Sequence, residues 1–479
     1  MPEQQSTKFA PLPLRRLGIF FLLGFLIISS FVIKWRNFQN TKLRTIDENV
    51  FYSIAKQLTT DPSQYHARGF LERTRKDRDI SSMPPYLSAP LFKHPPLFAY
   101  GISFSLKIFG DRGFAVALIP LLSGSLLILV AYFLTRLISD DKTALLAAII
   151  VALDPFLIIS SQKVWMETPL TLFVTLSLYF YLKGFRLREG RHFILGGIAA
   201  GLAALTKYPG LLVVFTTGLY AVLYDRKRYR DIPFLMGLLI PFLLLLPWML
   251  WNMNVYGAGF LVDHLKAHGF SMRGTLFKIL AFSITAGAAG YFLLKEKISS
   301  WPAIGTAICS NLRKPLSFLL LPLLFFLVMG SILKNLNFYD LPKTSWTPGL
   351  LSYEGPFIYF RRLVEFSLLY LFSFLSFFMT PDEEKKPLIR CAQITTLLYV
   401  IFYVLYGNYQ MRYFLMAVPT LISLGTGSWM TLLRNGENLP KLFSKNAARV
   451  LLWGILAIHF IKTMIINVSV SFPNDMCYF

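Results

Sequence analysis

Several residues able to do chemistry stand where apolar segments of this sequence begin or end. Asp47 and Glu48 follow the first apolar run, and Glu167 lies in Trp165-Met166-Glu167-Thr168-Pro169, at the junction of two others. Lys93-His94-Pro95-Pro96-Leu97 closes a long polar stretch, and Lys207-Tyr208-Pro209 and Arg412-Tyr413 mark the edges of later apolar runs. A carboxylate in such a place can take a proton from an acceptor or hold a cation. Lys, His and Arg at headgroup depth can hold a phosphate and stabilise the charge that grows on it as it departs. His264 and His268 could complete a metal or phosphate site, so a divalent cation is the cofactor this set could take.

Each residue also has a plainer reading. Thr45-Ile46-Asp47-Glu48 fits a capping box, with Glu48 reaching back to the helix start. Glu167 just before Pro169 is an ordinary first-turn pattern. Lys93 and His94 could be a snorkelling lysine and a helix-start histidine. Asp154-Pro155 reads as a structural turn within a span.

The elements that must position these residues are membrane spans. Of 479 residues, 55% are hydrophobic, 16% aromatic and 15% charged, against about 25% charged in a soluble domain. Mean hydropathy is +0.53. Apolar blocks fall near 17–33, 113–137, 143–160, 167–185, 193–206, 208–224, 231–251, 275–294, 315–333, 358–379, 389–406, 412–432 and 449–468. Most have the ~20 residues that cross ~30 Å of hydrocarbon. The expected fold class is all-α polytopic membrane protein: about thirteen transmembrane helices in a single domain over 1–479. The net charge of +23 would suggest nucleic acid in a soluble chain, but no compact basic and aromatic module is present. Basic residues here set topology and face membrane lipid. Cys309, Cys391 and Cys477 are scattered without metal or disulfide spacing.

Charge orients the spans. With the N-terminus inside, clusters such as Lys183/Arg186/Arg188/Arg191, Arg226/Lys227/Arg228/Arg230 and Lys385/Lys386/Arg390 all fall on inside loops. This parity requires that the segment from His94 to Gly110 not cross. It is short and contains Lys107, so an interfacial helix is expected there. A second is expected after Asp47, where Val50, Phe51, Ile54, Ala55 and Leu58 recur at helical spacing. Both belong to a long first outer loop, 34–112; smaller outer loops span 254–274 and 334–357.

This topology gathers Asp47, His94, Glu167, Lys207, His264 and Arg412 on one outer face of a cytoplasmic membrane. Acids and cations together suit transfer of a group from an anionic lipid: a base takes the acceptor's proton while cations stabilise the leaving phosphate. No P-loop or dinucleotide-type phosphate loop serves the inner face. A flippase or transporter is the main rival, and it would place its charges mid-span. An assembly subunit without chemistry is the second.

The acidic pair after the first span, the Lys93-His94-Pro95-Pro96-Leu97 close of the first loop, Glu167 and Arg412-Tyr413 together resemble the GT-C glycosyltransferases. The branch with protein O-mannosyltransferases and lipid A aminoarabinose transferases is the most similar. The resemblance implies a polyprenyl-phosphate sugar as donor and a lipid, glycan or protein as acceptor, with inversion at the anomeric carbon. It makes Asp47 the acid that activates the acceptor, with Glu48 its partner, and Glu167 a second acid where Asp is more usual. Lys93 and His94 stand at the carrier-phosphate segment, where bacterial members often read Glu-Lys. Lys207, Arg412, Tyr413 and His264 resemble further positions near the phosphate. The sequence lacks the Trp-Trp-Asp signature of oligosaccharyltransferase catalytic subunits.

Overall fold

The computed structural model describes residues 14–39, 46–70, 90–260, 367, 369–377, 383–406, 411–434 and 445–468. Regular structure there is helical throughout. The expected spans at 275–294 and 315–333, most of 358–379, and His264 and His268 lie outside the described residues.

The first helix, α1 (Leu14–Gln39), presents Phe21, Phe25 and Ile28 outward, as a lipid-facing span should. It runs past the expected loop start: Lys34 is a buried helical residue beside Ser161 and Gly124, facing Asp154. After it come α2 (Ile46–Thr60) and α3 (Leu97–Phe109). They occupy the positions of the two expected interfacial helices, and they pack together. The thirteen residues of α3 reach only ~20 Å, too short to cross hydrocarbon. Its face of Phe98, Ala99, Ile102 and Leu106 is buried while Phe104, Lys107 and Ile108 are exposed.

The bundle continues with α4 (Gly113–Ile138), α5 (Asp141–Leu153), α6 (Pro155–Ser161), α7 (Glu167–Leu187), α8 (Gly190–Thr206), α9 (Leu212–Tyr224) and α10 (Ile232–Tyr256). Asp154 breaks what would be one span: its Oδ1 accepts from Leu157 N at 2.9 Å, and α6 leaves α5 at 53°. A proline at the first turn needs no N–H partner, and the side-chain cap serves one of the freed donors. α8 packs against both α7 and α10. A Cβ at Gly197 would overlap the Gly237 carbonyl oxygen, so the α8–α10 crossing needs glycine at this contact. Tyr181 of α7 donates to that same carbonyl at 2.8 Å, and Ser177 donates to Gly196 O at 2.8 Å. Such side chain-to-backbone bonds hold helices together where lipid supplies no hydrophobic drive.

The described chain closes with α11 (Lys386–Tyr406), a 3-10 turn at Met411–Ala417 leading into α12 (Val418–Arg434), and α13 (Lys445–Val468). Among the described residues, five helices are long and apolar enough to cross a membrane. The bent α5–α6 pair makes a sixth candidate, and 97–109, 190–206, 208–224 and 453–465 are shorter apolar helices. A polytopic helical membrane protein is thus what the sequence folds into.

Candidate active site

The site forms where helix ends and one loop converge. Glu167 opens α7, and its carboxylate is buried. Lys207 occupies the corner between α8 and the 3-10 turn Tyr208–Leu211, with extended backbone at φ −160° and ψ 137°. Its Nζ lies 2.7 Å from Glu167 Oε1; the two side chains are 13% and 3% exposed. The same Nζ sits 4.2 Å from the ring centroid of Tyr413, so carboxylate and π-face both stabilise a cation removed from most of its water.

Arg412, at the head of the last 3-10 turn, bridges the two acids. Its Nη2 is 2.6 Å from Asp47 Oδ2 and its Nε is 3.9 Å from Glu167 Oε1. The guanidinium lies 5.1 Å from the Trp165 ring and 5.5 Å from that of Tyr413. Arg412 is 12% exposed, whereas Asp47 keeps 46% of its side chain in contact with solvent. Of the two acids, Asp47 alone is reachable by an incoming molecule.

Glu48 has a partner far away in the chain. It is buried, and its Oε1 accepts from Val164 N at 3.1 Å, across 116 residues of sequence. The contact ties the start of α2 to the segment carrying Trp165 and Glu167. Thr45 lies outside the described residues.

Lys93 completes the group. Burial pulls its ammonium below the ordinary lysine value; Asp47 opposes that shift, while Lys207 and Arg412 add to it. These are the charges it faces. Among the described residues it makes no hydrogen bond or ion pair. His94 packs its ring against Phe51 at 5.7 Å, and so is turned toward α2.

The structure therefore brings Asp47, Glu167, Lys207, Arg412, Tyr413 and Lys93 together, with Glu48 one step behind as an anchor. The sequence reading passed over Trp165, which lies under Arg412, and the tyrosines that hold the Lys93 loop. Tyr65 donates to His94 O at 2.8 Å, Tyr208 to Phe92 O at 2.7 Å and Tyr256 to Pro90 O at 2.6 Å. Aromatics in apolar stretches carry no local sign of such a bond. Among the described residues no group of three or more His, Cys, Asp or Glu side chains could hold a metal ion.

Comparison with known proteins adds the frame. The family model for dolichyl-phosphate-mannose-protein mannosyltransferase matches residues 93–251, which hold Lys93, Glu167 and Lys207. An uncharacterised protein of Aquifex aeolicus is 29% identical over 257 residues, 52% of this chain and 50% of its own. The undecaprenyl phosphate-α-4-amino-4-deoxy-L-arabinose arabinosyl transferase 1 of Pseudomonas fluorescens is 29% identical over 175 residues, 35% of this chain and 32% of its own. The chain thus spans half or less of the curated relatives it matches. Among solved structures, ArnT from Cupriavidus metallidurans bound to undecaprenyl phosphate superposes with a TM-score of 0.50 at 12% identity, covering 95% of this chain and 75% of ArnT. The apo oligosaccharyltransferase of Archaeoglobus fulgidus gives 0.53 at 17% identity, covering 93% and 56%. With its helical bundle and these structural neighbours, this chain is a membrane protein of the GT-C fold.

Proposed function

We propose that this chain is a glycosyltransferase that moves a sugar from a polyprenyl-phosphate donor to a lipid, glycan or protein acceptor. The reaction takes place at the outer face of the cytoplasmic membrane. One observation carries the reading: Lys93, Lys207 and Arg412 stand with Asp47 and Glu167, and among the described residues Lys93 makes no ion pair. Among the described residues Lys93 has no carboxylate paired to it, in surroundings where burial strengthens charge–charge interactions. An anionic headgroup suits an ammonium so placed. The family match over 93–251 and the undecaprenyl phosphate in the ArnT structure support a lipid phosphate.

In the proposed step an acceptor oxygen or nitrogen attacks the anomeric carbon from the face opposite the phosphate. The bond from that carbon to the phosphate oxygen breaks, and its electron pair leaves with the phosphate. The acceptor's proton passes to Asp47, the accessible carboxylate. Lys93 and Arg412 receive the charge that grows on the departing oxygen. Arg412 has N–H groups enough to serve the phosphate and an acid together. Glu167, enclosed by Lys207 and Arg412, orders those cations.

The charges of this site stand at helix ends, which favours transfer over transport. Purified protein in liposomes containing an isotopically labelled polyprenyl-phosphate sugar separates the two readings. Transfer predicts free polyprenyl phosphate and labelled acceptor in equal amounts. Movement of intact donor across the bilayer with no such products would overturn the proposal.

A further inference from the structure

Four carbonyls of the segment around Lys93 are held by tyrosines from distant parts of the chain. Besides the bonds to Pro90, Phe92 and His94, Tyr65 Oη reaches Pro95 O at 3.2 Å. Phe92 adds ring contacts to Tyr256 and Phe260 at 5.0 and 6.0 Å. Trp248 of α10 stands at the centre: its Nε1 donates to Tyr208 Oη at 3.0 Å, and its ring meets that of Tyr65 edge-on at 5.4 Å. Both the indole and the Tyr65 ring are buried.

A chain of donors thus runs from Trp248 N–H to the Tyr208 hydroxyl to the Phe92 carbonyl, one residue before Lys93. Accepting from the indole polarises the tyrosine O–H and strengthens its own donation. The sequence geometry at this corner matters as well. Lys207 and Tyr208 are neighbours, and they point to different partners: Lys207 to Glu167, Tyr208 to the Lys93 loop. One corner between α8 and α9 therefore sets the spacing between the buried acid–base pair and the uncommitted cation.

We infer that Trp248 and Tyr208 are positioning residues that hold the Lys93 loop at a fixed distance from the Glu167–Lys207 pair, so that a lipid phosphate meets a preformed cationic site. The inference rests on the proposed donor class. Holding the loop in advance lowers the ordering cost that phosphate binding would otherwise carry. A single neutral hydrogen bond contributes about 0.5–1.5 kcal/mol, or roughly a twofold to twelvefold change in affinity. Neither residue touches the phosphate; each acts through the loop backbone.

The test is binding of undecaprenyl phosphate to full-length protein in lipid nanodiscs, without any transfer step. Tyr208→Phe keeps the ring and removes the donor; Trp248→Phe removes the far end of the relay. Each should weaken binding about threefold to tenfold. In a Lys93→Gln background, which weakens binding on its own, adding Tyr208→Phe should cost little more, because the loop then has no cation to aim. A merely structural role would instead give the same loss in both backgrounds. Equal affinity of wild type, Tyr208→Phe and Trp248→Phe, or full additivity with Lys93→Gln, overturns the positioning role alone. Failure of the wild type to bind undecaprenyl phosphate overturns the donor reading and this inference with it.

Discussion

Lys207 Nζ lies 2.7 Å from Glu167 Oε1, and almost no water reaches either side chain. Burying two charges in this way is not by itself stabilising, but removing one of them leaves the other stranded. Glu167→Gln should therefore destabilise the protein by about 3–5 kcal/mol, seen as a lower unfolding temperature in detergent. The double variant Glu167→Gln/Lys207→Met should recover much of that stability and none of the turnover. Equal stability of the single and double variants would show that the pair is not coupled.

Asp47 is the accessible acid. Asp47→Asn should lower turnover of the folded protein by roughly 10²–10⁴-fold, a loss far larger than any drop in unfolding temperature from weakening its ion pair with Arg412. Turnover at the wild-type level would remove Asp47 from the proton transfer.

Glu48 is expected to separate from Asp47. Its bond to Val164 N is buried, so Glu48→Met, which removes the acceptor, should cost about 1–3 kcal/mol of stability. Turnover of the folded fraction should fall far less than for Asp47→Asn. An equal loss of turnover at constant stability would place Glu48 in the chemistry.

Lys93 gives the pH dependence. Its folded value is lowered by burial and by Lys207 and Arg412, against the opposing pull of Asp47. Only the protonated ammonium attracts phosphate, so donor binding is complete below that value and fades as pH rises through it. The alkaline limb of kcat/KM for donor should thus begin below the region expected for an ordinary lysine, about 10.4. Lys93→Arg should push the limb upward, because guanidinium does not titrate there. A limb that stays in place in Lys93→Arg would assign it to another group.

Much of this site is legible in the sequence because membrane topology is a one-dimensional argument. Basic clusters at alternate span ends fix which ends share a face, and acids at those ends must then meet at one rim. That logic groups Asp47, Glu167, Lys207 and Arg412 on one face from sequence alone. It fails for contacts between distant segments: nothing beside Glu48 in the sequence announces that its carboxylate accepts from Val164 N. It also fails for Lys34, because a lysine near a span end reads as its boundary, while a turn of helix beyond it and Asp154 across the bundle keep it inside. Tyr65, Tyr208, Trp248 and Tyr256 are invisible for a third reason. The tyrosine hydroxyls donate to carbonyls, and the Trp248 indole to the Tyr208 hydroxyl, across distances in sequence that only tertiary packing closes.

The most direct measurement is a structure of the protein with undecaprenyl phosphate. The account predicts phosphate density between Lys93 and Arg412, with Arg412 still in reach of an acid and Glu167 still held by Lys207. Phosphate bound elsewhere on the bundle, with Lys93 and Arg412 untouched, would contradict it.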